Sequence, residues 1–161
     1  MSERFRCTYS YKTVFDIDYE LLKNDGISAL LFDIDNTLAS YADSVPDEKT
    51  ADLIKKLCGR GFKIFFLSNN SGKRVGTFAE SVGVPCISRA AKPLVFNIRR
   101  AMRKLGAEKS ETVLIGDQLF TDIWGANRAG IKSVLVEPVS ANNEDKFVAF
   151  KRRFEKMIKK D

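Results

Sequence analysis

The chain alternates short apolar segments with longer amphipathic ones. Compact apolar segments at residues 27–32, 62–67, 84–87, 112–115 and 132–136 are typical of buried β-strands. Between them, at residues 46–59, 73–82, 92–105 and 119–129, apolar residues recur at the three-to-four-residue spacing of helices. A further short helix is predicted over residues 19–23. No hairpin turn joins the predicted strands, so we expect a parallel sheet with helices on both faces.

This pattern predicts an α/β fold, a Rossmann-like three-layer sandwich around a five-stranded parallel sheet. The length of 161 residues fits one domain, and no internal repeat or Pro/Gly-rich linker divides it. We divide the chain into an N-terminal arm with a short helix (residues 1–26), a core (27–138) and a basic C-terminal helix (139–161). Ligands of such folds bind beyond the carboxyl ends of the strands.

The amino-acid composition limits the kinds of catalysis and metal binding that the chain can support. Histidine is absent, which excludes Ser-His-Asp and Cys-His catalysis and histidine-ligated zinc. The three cysteines are widely spaced without a CxxC pair, so we expect buried, reduced thiols rather than disulfides or a zinc site. No secretory signal or apolar stretch of membrane-spanning length is visible, which predicts a cytoplasmic location.

The net charge of +6 is concentrated in two places, residues 99–104 and the C-terminal tail. Such a charge favours a phosphate-bearing or otherwise anionic partner, and it also serves solubility. In the tail, Phe147, Phe150 and Phe154 recur at helical spacing among lysines and arginines. This helix could lie on an anionic membrane surface or pack its aromatic stripe on the sheet. No nucleic-acid module is visible, so nucleic-acid binding is not expected, and oligomerisation stays open.

Polar residues follow the predicted strands at their carboxyl ends. Asp33 and Asp35 come directly after the first strand, and alternate residues of an extended chain point the same way. Two like charges beside a buried strand require a compensating cation. Asp117 after the fourth strand adds carboxylate oxygen, and oxygen ligands suit Mg²⁺. Together with Lys92 this arrangement fits phosphoryl transfer, in which an aspartate can be the nucleophile without any histidine.

Four ordered motifs carry a family resemblance. They are Asp33-Ile34-Asp35-Asn36-Thr37-Leu38, then Ser68, then Lys92, then the segment from Gly116-Asp117 to Asp122. These motifs resemble those of the haloacid dehalogenase (HAD) superfamily phosphatases.

The resemblance implies a role for each residue. It implies that Asp33 is the nucleophile, that Asp35 is the general acid-base, that Ser68 bonds the phosphoryl group and that Lys92 stabilises the phosphoaspartate. It also implies a Mg²⁺ site made by Asp33, the Asp35 carbonyl and Asp117, with Asp122 behind it. Thr37 and Asn69 are assigned to substrate binding. Read without the family, Asp122 could instead favour the start of the next helix.

The spacing of these motifs leaves no room for a cap domain. An open site favours a large or surface-bound substrate. Residues 14–27, just before the first motif, are similar to the YqeG-like branch of class IIIA HAD phosphatases, which is related to mitochondrial phosphatidylglycerophosphate phosphatases. We therefore predict a Mg²⁺-dependent phosphomonoesterase acting on a substrate such as phosphatidylglycerophosphate. A soluble phosphate ester, or a protein or nucleic-acid phosphate, is the alternative.

Two interpretations of another class stay open at this point. A response-regulator receiver also has a parallel sheet, an acidic Mg²⁺ pocket and a Lys-Pro pair like Lys92-Pro93. In receivers, however, the acceptor aspartate lies mid-chain and the lysine near the end, whereas here the aspartate pair comes first. A non-catalytic binding module that only keeps the fold is the second alternative.

Overall fold

A computed structural model describes residues 2–139 together with Glu155 and Lys156. Within these residues, six parallel strands form one sheet in the order β1-β6-β5-β2-β3-β4. The strands are β1 Tyr9–Tyr11, β2 Ala29–Phe32, β3 Lys63–Leu67, β4 Cys86–Ile87, β5 Thr112–Gly116 and β6 Lys132–Val136. The predicted α/β class and parallel sheet are confirmed.

The predicted number of five strands is wrong, because β1 adds a sixth. The segment Tyr9–Tyr11 lies in what the sequence indicated was a polar arm, and it pairs in parallel with β6, with Tyr9 opposite Val134. Its three residues are half-buried or exposed at the border of the sheet. A strand this short and polar gives no apolar-segment signal, so only its pairing with β6 reveals it.

The helices form a layer on each face of the sheet. They are α1 Tyr19–Asn24, α2 Glu48–Gly59, α3 Gly72–Ser81, α4 Phe96–Leu105 and α5 Trp124–Ala129. Along β2, Leu30 and Phe32 belong to the core that α1, α2 and α3 cover, whereas Leu31 belongs to the core beneath α4 and α5. The period-two alternation of a strand thus places successive side chains in two separate cores. This is the predicted three-layer sandwich.

Some predicted boundaries differ from the structure. The helix predicted from residue 92 begins at Phe96, because the preceding residues make a turn in which the Leu94 amide donates to the Ala91 carbonyl at 2.9 Å. This turn lets the Lys92 side chain enter the interior, where it is 4% exposed. The expectation of buried cysteines is also wrong, since Cys58 is exposed and the other two are half-buried.

The order of the strands places a binding crevice at the centre of the sheet. From β2 the chain continues through β3 to β4 on one side, then crosses to β5 on the other side of β2. Ligands of parallel α/β sheets bind at such a switch point, beyond the carboxyl ends of the strands. No cap domain is inserted within residues 2–139, where short loops and single helices connect the core strands.

The predicted C-terminal helix lies outside the described residues apart from Glu155 and Lys156. Glu155 is buried and accepts a hydrogen bond from the Phe120 amide at 3.2 Å. In the part of the chain that the structure describes, no helix has the length and apolar character required to cross a bilayer. The division into segments 1–26, 27–138 and 139–161 stays a prediction.

Candidate active site

Three carboxylates converge at the switch point. Asp33 follows β2, Asp117 follows β5, and Asp122 lies in the π-helical turn Leu119–Ile123 that leads into α5. One oxygen of each lies within 4.8 Å of the others, and all three side chains are buried. The sequence placed Asp122 behind the metal site, whereas its carboxylate is part of this cluster.

Gly116 allows Asp122 to come so close. A Cβ atom at Gly116 would lie 2.3 Å from the Asp122 carboxylate, far inside van der Waals contact. The Asp122 Oδ2 atom also accepts a hydrogen bond from the Gln118 amide at 3.2 Å, which fixes the carboxylate against the strand end. The glycine before Asp117 is therefore required by the neighbouring aspartate rather than by a turn.

Lys92 is the cation of this cluster. Its ammonium donates to Asp33 Oδ1 at 2.8 Å, to Asp122 Oδ1 at 2.7 Å and to the Leu67 carbonyl at 2.8 Å. These three bonds use all three of its protons. Asn69 holds the Lys92 backbone, donating from Nδ2 to its carbonyl at 3.0 Å and accepting from its amide at 2.9 Å.

Burial dominates the electrostatics of this cluster. Burial, the Asp122 charge and, to a smaller extent, the Asp35 charge raise the pKa of the Asp33 carboxyl, and the Lys92 ammonium lowers it; the net result is a pKa of about 7. Burial also lowers the pKa of Lys92, but the attraction of Asp122 and Asp33 outweighs this, so the pKa of Lys92 lies above its ordinary value. Lys92 therefore stays charged, but its single positive charge does not offset the cost of burying the Asp33 carboxylate beside Asp122.

Asp35 faces different partners. The Ser68 hydroxyl donates to its Oδ2 at 3.1 Å, and the Asn70 side-chain amide reaches the same oxygen at 3.4 Å. Arg74 forms an ion pair with Oδ1, and its other terminal nitrogen donates to the Ser40 carbonyl at 2.7 Å. Asp35 thus lies outside the carboxylate cluster but is as buried as Asp33. Its partner Arg74, whose side chain is partly exposed, marks the mouth of the site.

The sequence interpretation missed Arg74 and Asn70. Arg74 is 39 residues from Asp35, so no local spacing pairs them. One signal was available, because Lys73 and Arg74 occupy the first turn of α3, where the helix dipole disfavours positive charge. Such a placement costs stability and indicates a role in a site.

Thr37 and Asn36 complete the loop after β2. The Thr37 hydroxyl lies 3.1 Å from Asp33 Oδ2 and 3.0 Å from Asp117 Oδ1, so its single proton serves one of two carboxylates at a time. Asn36 is fully buried with a φ of 60°. Neither Oδ1 nor Nδ2 of its side-chain amide has a hydrogen-bond partner in residues 2–139. A buried amide without partners favours a polar ligand at this point.

The donor set fits a divalent cation. The predicted site residues Asp33, Asp35, Thr37, Ser68, Lys92 and Asp117 are all buried and meet at the carboxyl end of the sheet. The site contains four carboxylates, the three of the cluster and that of Asp35, and two cations, Lys92 and Arg74. With all of these groups ionised, the site carries a net charge of −2. Oxygen-only ligands and this negative charge match a hard divalent ion.

Comparison with known proteins agrees with this geometry. A family model described as HAD-hydrolase-like matches residues 89–147. "Probable phosphatase YqeG" of Bacillus subtilis is 35% identical over 148 residues, which cover 91% of this chain and 85% of that protein. The chloroplastic/mitochondrial phosphatidylglycerophosphate phosphatase 1 of Arabidopsis thaliana is 30% identical over 157 residues.

The fold and the acidic site are those of a HAD-superfamily phosphatase. Within that superfamily, the chain belongs to the branch that contains YqeG and the phosphatidylglycerophosphate phosphatases. This membership removes the receiver and the non-catalytic module as alternatives. The match covers 91% of this chain but only 44% of the Arabidopsis protein.

Solved structures show the same fold at low sequence identity. The cobalt-bound deoxy-D-mannose-octulosonate 8-phosphate phosphatase of Haemophilus influenzae superposes with a TM-score of 0.58 at 14% identity, covering 80% of this chain and 77% of that one. At this identity the likeness concerns the fold alone.

Proposed function

We propose that the chain hydrolyses a phosphomonoester through a phosphorylated Asp33, and that its substrate is a lipid phosphate of the phosphatidylglycerophosphate type. The observation that carries this proposal is the separation of two neighbouring aspartates. Asp33 lies in the carboxylate cluster with Lys92, whereas Asp35 lies apart from it on Ser68 and Arg74. This separation supports a proposal in which Asp33 attacks phosphorus and Asp35, held by Ser68 and Arg74, exchanges a proton.

In the first half-reaction an Asp33 carboxylate oxygen attacks phosphorus and the bond from phosphorus to the ester oxygen breaks. Asp35 in its protonated form gives its proton to the departing alcohol oxygen. Lys92 and Ser68 lie beside the two aspartates, where they can hold the oxygens of the phosphoryl group. Asn69 acts on Lys92 through its backbone, so we propose that it positions this lysine.

In the second half-reaction Asp35, now a carboxylate, takes a proton from a water molecule that attacks phosphorus. The bond between phosphorus and Asp33 breaks, and inorganic phosphate leaves with both aspartates restored. Asp33 and Asp117, with Asp122 beside them, would hold Mg²⁺. The ion would supply charge neutralisation for the phosphoryl oxygens.

A lipid substrate is proposed because a relative at 30% identity is named a phosphatidylglycerophosphate phosphatase. The absence of a cap within residues 2–139 supports it, since no inserted domain among these residues limits the size of the substrate.

The test is a phosphatase screen after chelation and readdition of Mg²⁺. Phosphatidylglycerophosphate in mixed micelles, sugar phosphates, nucleotides and phosphopeptides are compared, with Asp33→Asn as the blank. We expect Mg²⁺-dependent release of phosphate, fastest from the lipid and lost by at least about 10⁴-fold in the variant. Equal activity of the variant would contradict the nucleophile, and a preference for a soluble ester would contradict the lipid.

A further inference from the structure

Exposed apolar side chains gather at the carboxyl end of the sheet. Of the large hydrophobic residues exposed in the described chain, Val45, Leu94, Phe96 and Val139 follow the carboxyl ends of strands and are 50–67% exposed. The remaining one, Leu21, belongs to α1, which leads into the amino end of β2. Exposed apolar residues are ordinary when scattered, but here they lie at the end of the sheet that carries the site.

Leu94 and Phe96 are the most relevant pair. They follow Lys92 by two and four residues, and the Lys92 ammonium bonds Asp33 in the floor of the site. Helix α4 packs against the sheet through Ile98, Ala101 and Met102. Phe96, at its first residue, is left outside this contact and is 67% exposed. The two exposed apolar side chains therefore lie where the segment that carries Lys92 enters α4, at the carboxyl end of the sheet.

The surroundings of this pair are strongly basic. No acidic residue occurs between Glu80 and Glu108 in the sequence. The same stretch carries a set of exposed cations, which are Arg89, Arg99, Arg100, Arg103 and Lys104. Exposed apolar side chains among cations are complementary to one kind of partner, an anionic lipid bilayer, which offers both an apolar interior and negative head groups.

We propose that the carboxyl end of the sheet docks on an anionic bilayer, with Leu94 and Phe96 entering the interface and Arg99 and Arg100, near the start of α4, contacting head groups. This docking surface, residues 89–100, differs from the C-terminal tail, which lies outside the described residues apart from Glu155 and Lys156. The proposal rests on the proposed function, because a bilayer substrate must present its phosphate to Asp33 at this end. Binding can nevertheless be measured without any turnover.

The experiment is co-sedimentation of the full chain with vesicles of phosphatidylcholine, alone or with about a third phosphatidylglycerol. We expect binding to the anionic vesicles that weakens as salt is raised. The variant Leu94→Ser/Phe96→Ser should reduce the binding constant at least about tenfold, since two apolar side chains no longer enter the interface. The matched control Leu21→Ser, an exposed apolar residue away from this surface, should bind as the wild type does.

A second pair of variants tests the charge. Arg99→Gln/Arg100→Gln should lower binding to anionic vesicles roughly tenfold or more and should flatten its salt dependence. Lys55→Gln/Lys56→Gln removes two exposed charges from α2 and should change neither quantity by more than about twofold. An equal effect of both variants would show that net charge, not this surface, attracts the bilayer, and would overturn the proposal.

Hydrolysis of p-nitrophenyl phosphate in the absence of vesicles separates this proposal from the proposed function. Leu94→Ser/Phe96→Ser should retain the wild-type rate on this soluble ester, which also shows that it folds. Vesicle binding that depends on Leu94 and Phe96 in a chain without phosphatase activity would uphold the docking surface and reject the function. Absence of wild-type binding, or wild-type binding by the double variant, overturns the docking surface. Loss of binding only on removal of residues 145–161 would assign it to the tail instead.

Discussion

Asp33 and Asp35 are two residues apart, yet their surroundings differ. Asp33 lies in the floor of the site against Lys92, whose side chain is 1% exposed. Asp35 is equally buried, but its partner is Arg74, whose side chain is 18% exposed at the mouth. The Lys92 ammonium is shared between Asp33 and Asp122, and all three of its protons are hydrogen-bonded. The Arg74 guanidinium instead joins Asp35 to the Ser40 carbonyl.

This difference teaches how one short motif supplies two chemical roles. A nucleophile requires a fixed position and a stable counter-charge, which the buried Lys92 provides. A proton donor and acceptor must reach the leaving oxygen and then water, which requires access from the mouth. Strand geometry alone would point both carboxylates the same way, so their separation depends on the loop that follows β2.

Among variants that keep Asp33, the largest effect is expected from removing the proton carrier, Asp35. Asp35→Asn should lower kcat on an alkyl phosphate by roughly 10²- to 10⁴-fold, because the leaving alkoxide no longer receives a proton. The loss should be smaller for p-nitrophenyl phosphate, whose leaving group is stable without one. Steady-state kinetics on both esters check this. Asp52→Asn, an exposed aspartate of α2, is the control, and equal losses on the two esters would contradict an acid role.

The next effect concerns the cation in the floor. Lys92→Met leaves Asp33 and Asp122 facing each other without a counter-charge, so we expect kcat to fall about 10²-fold and the free energy of unfolding to fall by about 3 kcal/mol without metal. Denaturant titration and kinetics measure both. The exposed Lys104→Met should change neither. If the two variants were equally stable, the buried pairing would be wrong.

A smaller effect is expected at the mouth cation. Arg74→Gln should lower kcat about tenfold and lower the free energy of unfolding by about 2 kcal/mol, since the buried Asp35 loses its counter-charge but keeps its hydrogen bonds from Ser68 and Asn70. If Arg74 acts by positioning Asp35, the double variant Arg74→Gln/Asp35→Asn should be no slower than Asp35→Asn. Additive losses would show that Arg74 acts independently. Arg60→Gln, which removes an exposed ion pair with Glu20, is the control.

The remaining effect is a pH dependence of stability without metal. The pKa of Asp33 is raised from 3.8 to about 7 in the folded chain, so the folded state binds more protons than the unfolded state between these values. The contribution of the Asp33 carboxyl to the free energy of unfolding is therefore greatest below about pH 4 and decreases as the pH rises to 7. In the presence of a chelator, the Tm of the wild type should fall more steeply from pH 5 to 7.5 than the Tm of Asp33→Asn. Parallel curves would contradict the raised pKa.

The sequence could predict much of the fold because the core strands and helices have local apolar periodicity. The convergence of the candidate residues was also predictable, since parallel strands end on one side of the sheet. The strand Tyr9–Tyr11 could not be predicted, because it is only three residues long, has polar neighbours in the sequence and forms a strand only by pairing with β6.

Features that depend on contacts distant in sequence escaped prediction. The helix that begins at Phe96 rather than residue 92 is shortened because the Lys92 side chain enters the site. The pairing of Arg74 with Asp35 joins the first turn of α3 to the loop after β2 and leaves no periodic signal. The inclusion of Asp122 in the carboxylate cluster depends on the missing side chain of Gly116, which only the three-dimensional contact explains.

The most direct test of the account identifies the phosphorylated residue. The enzyme is mixed with substrate, quenched in acid within a turnover and reduced with borohydride, which converts an aspartyl phosphate to homoserine. Peptide mass spectrometry should find homoserine at position 33 and an unmodified Asp35, with no reduction in Asp33→Asn. Homoserine at position 35, with Asp33 unmodified, would contradict the assignment of the two aspartates.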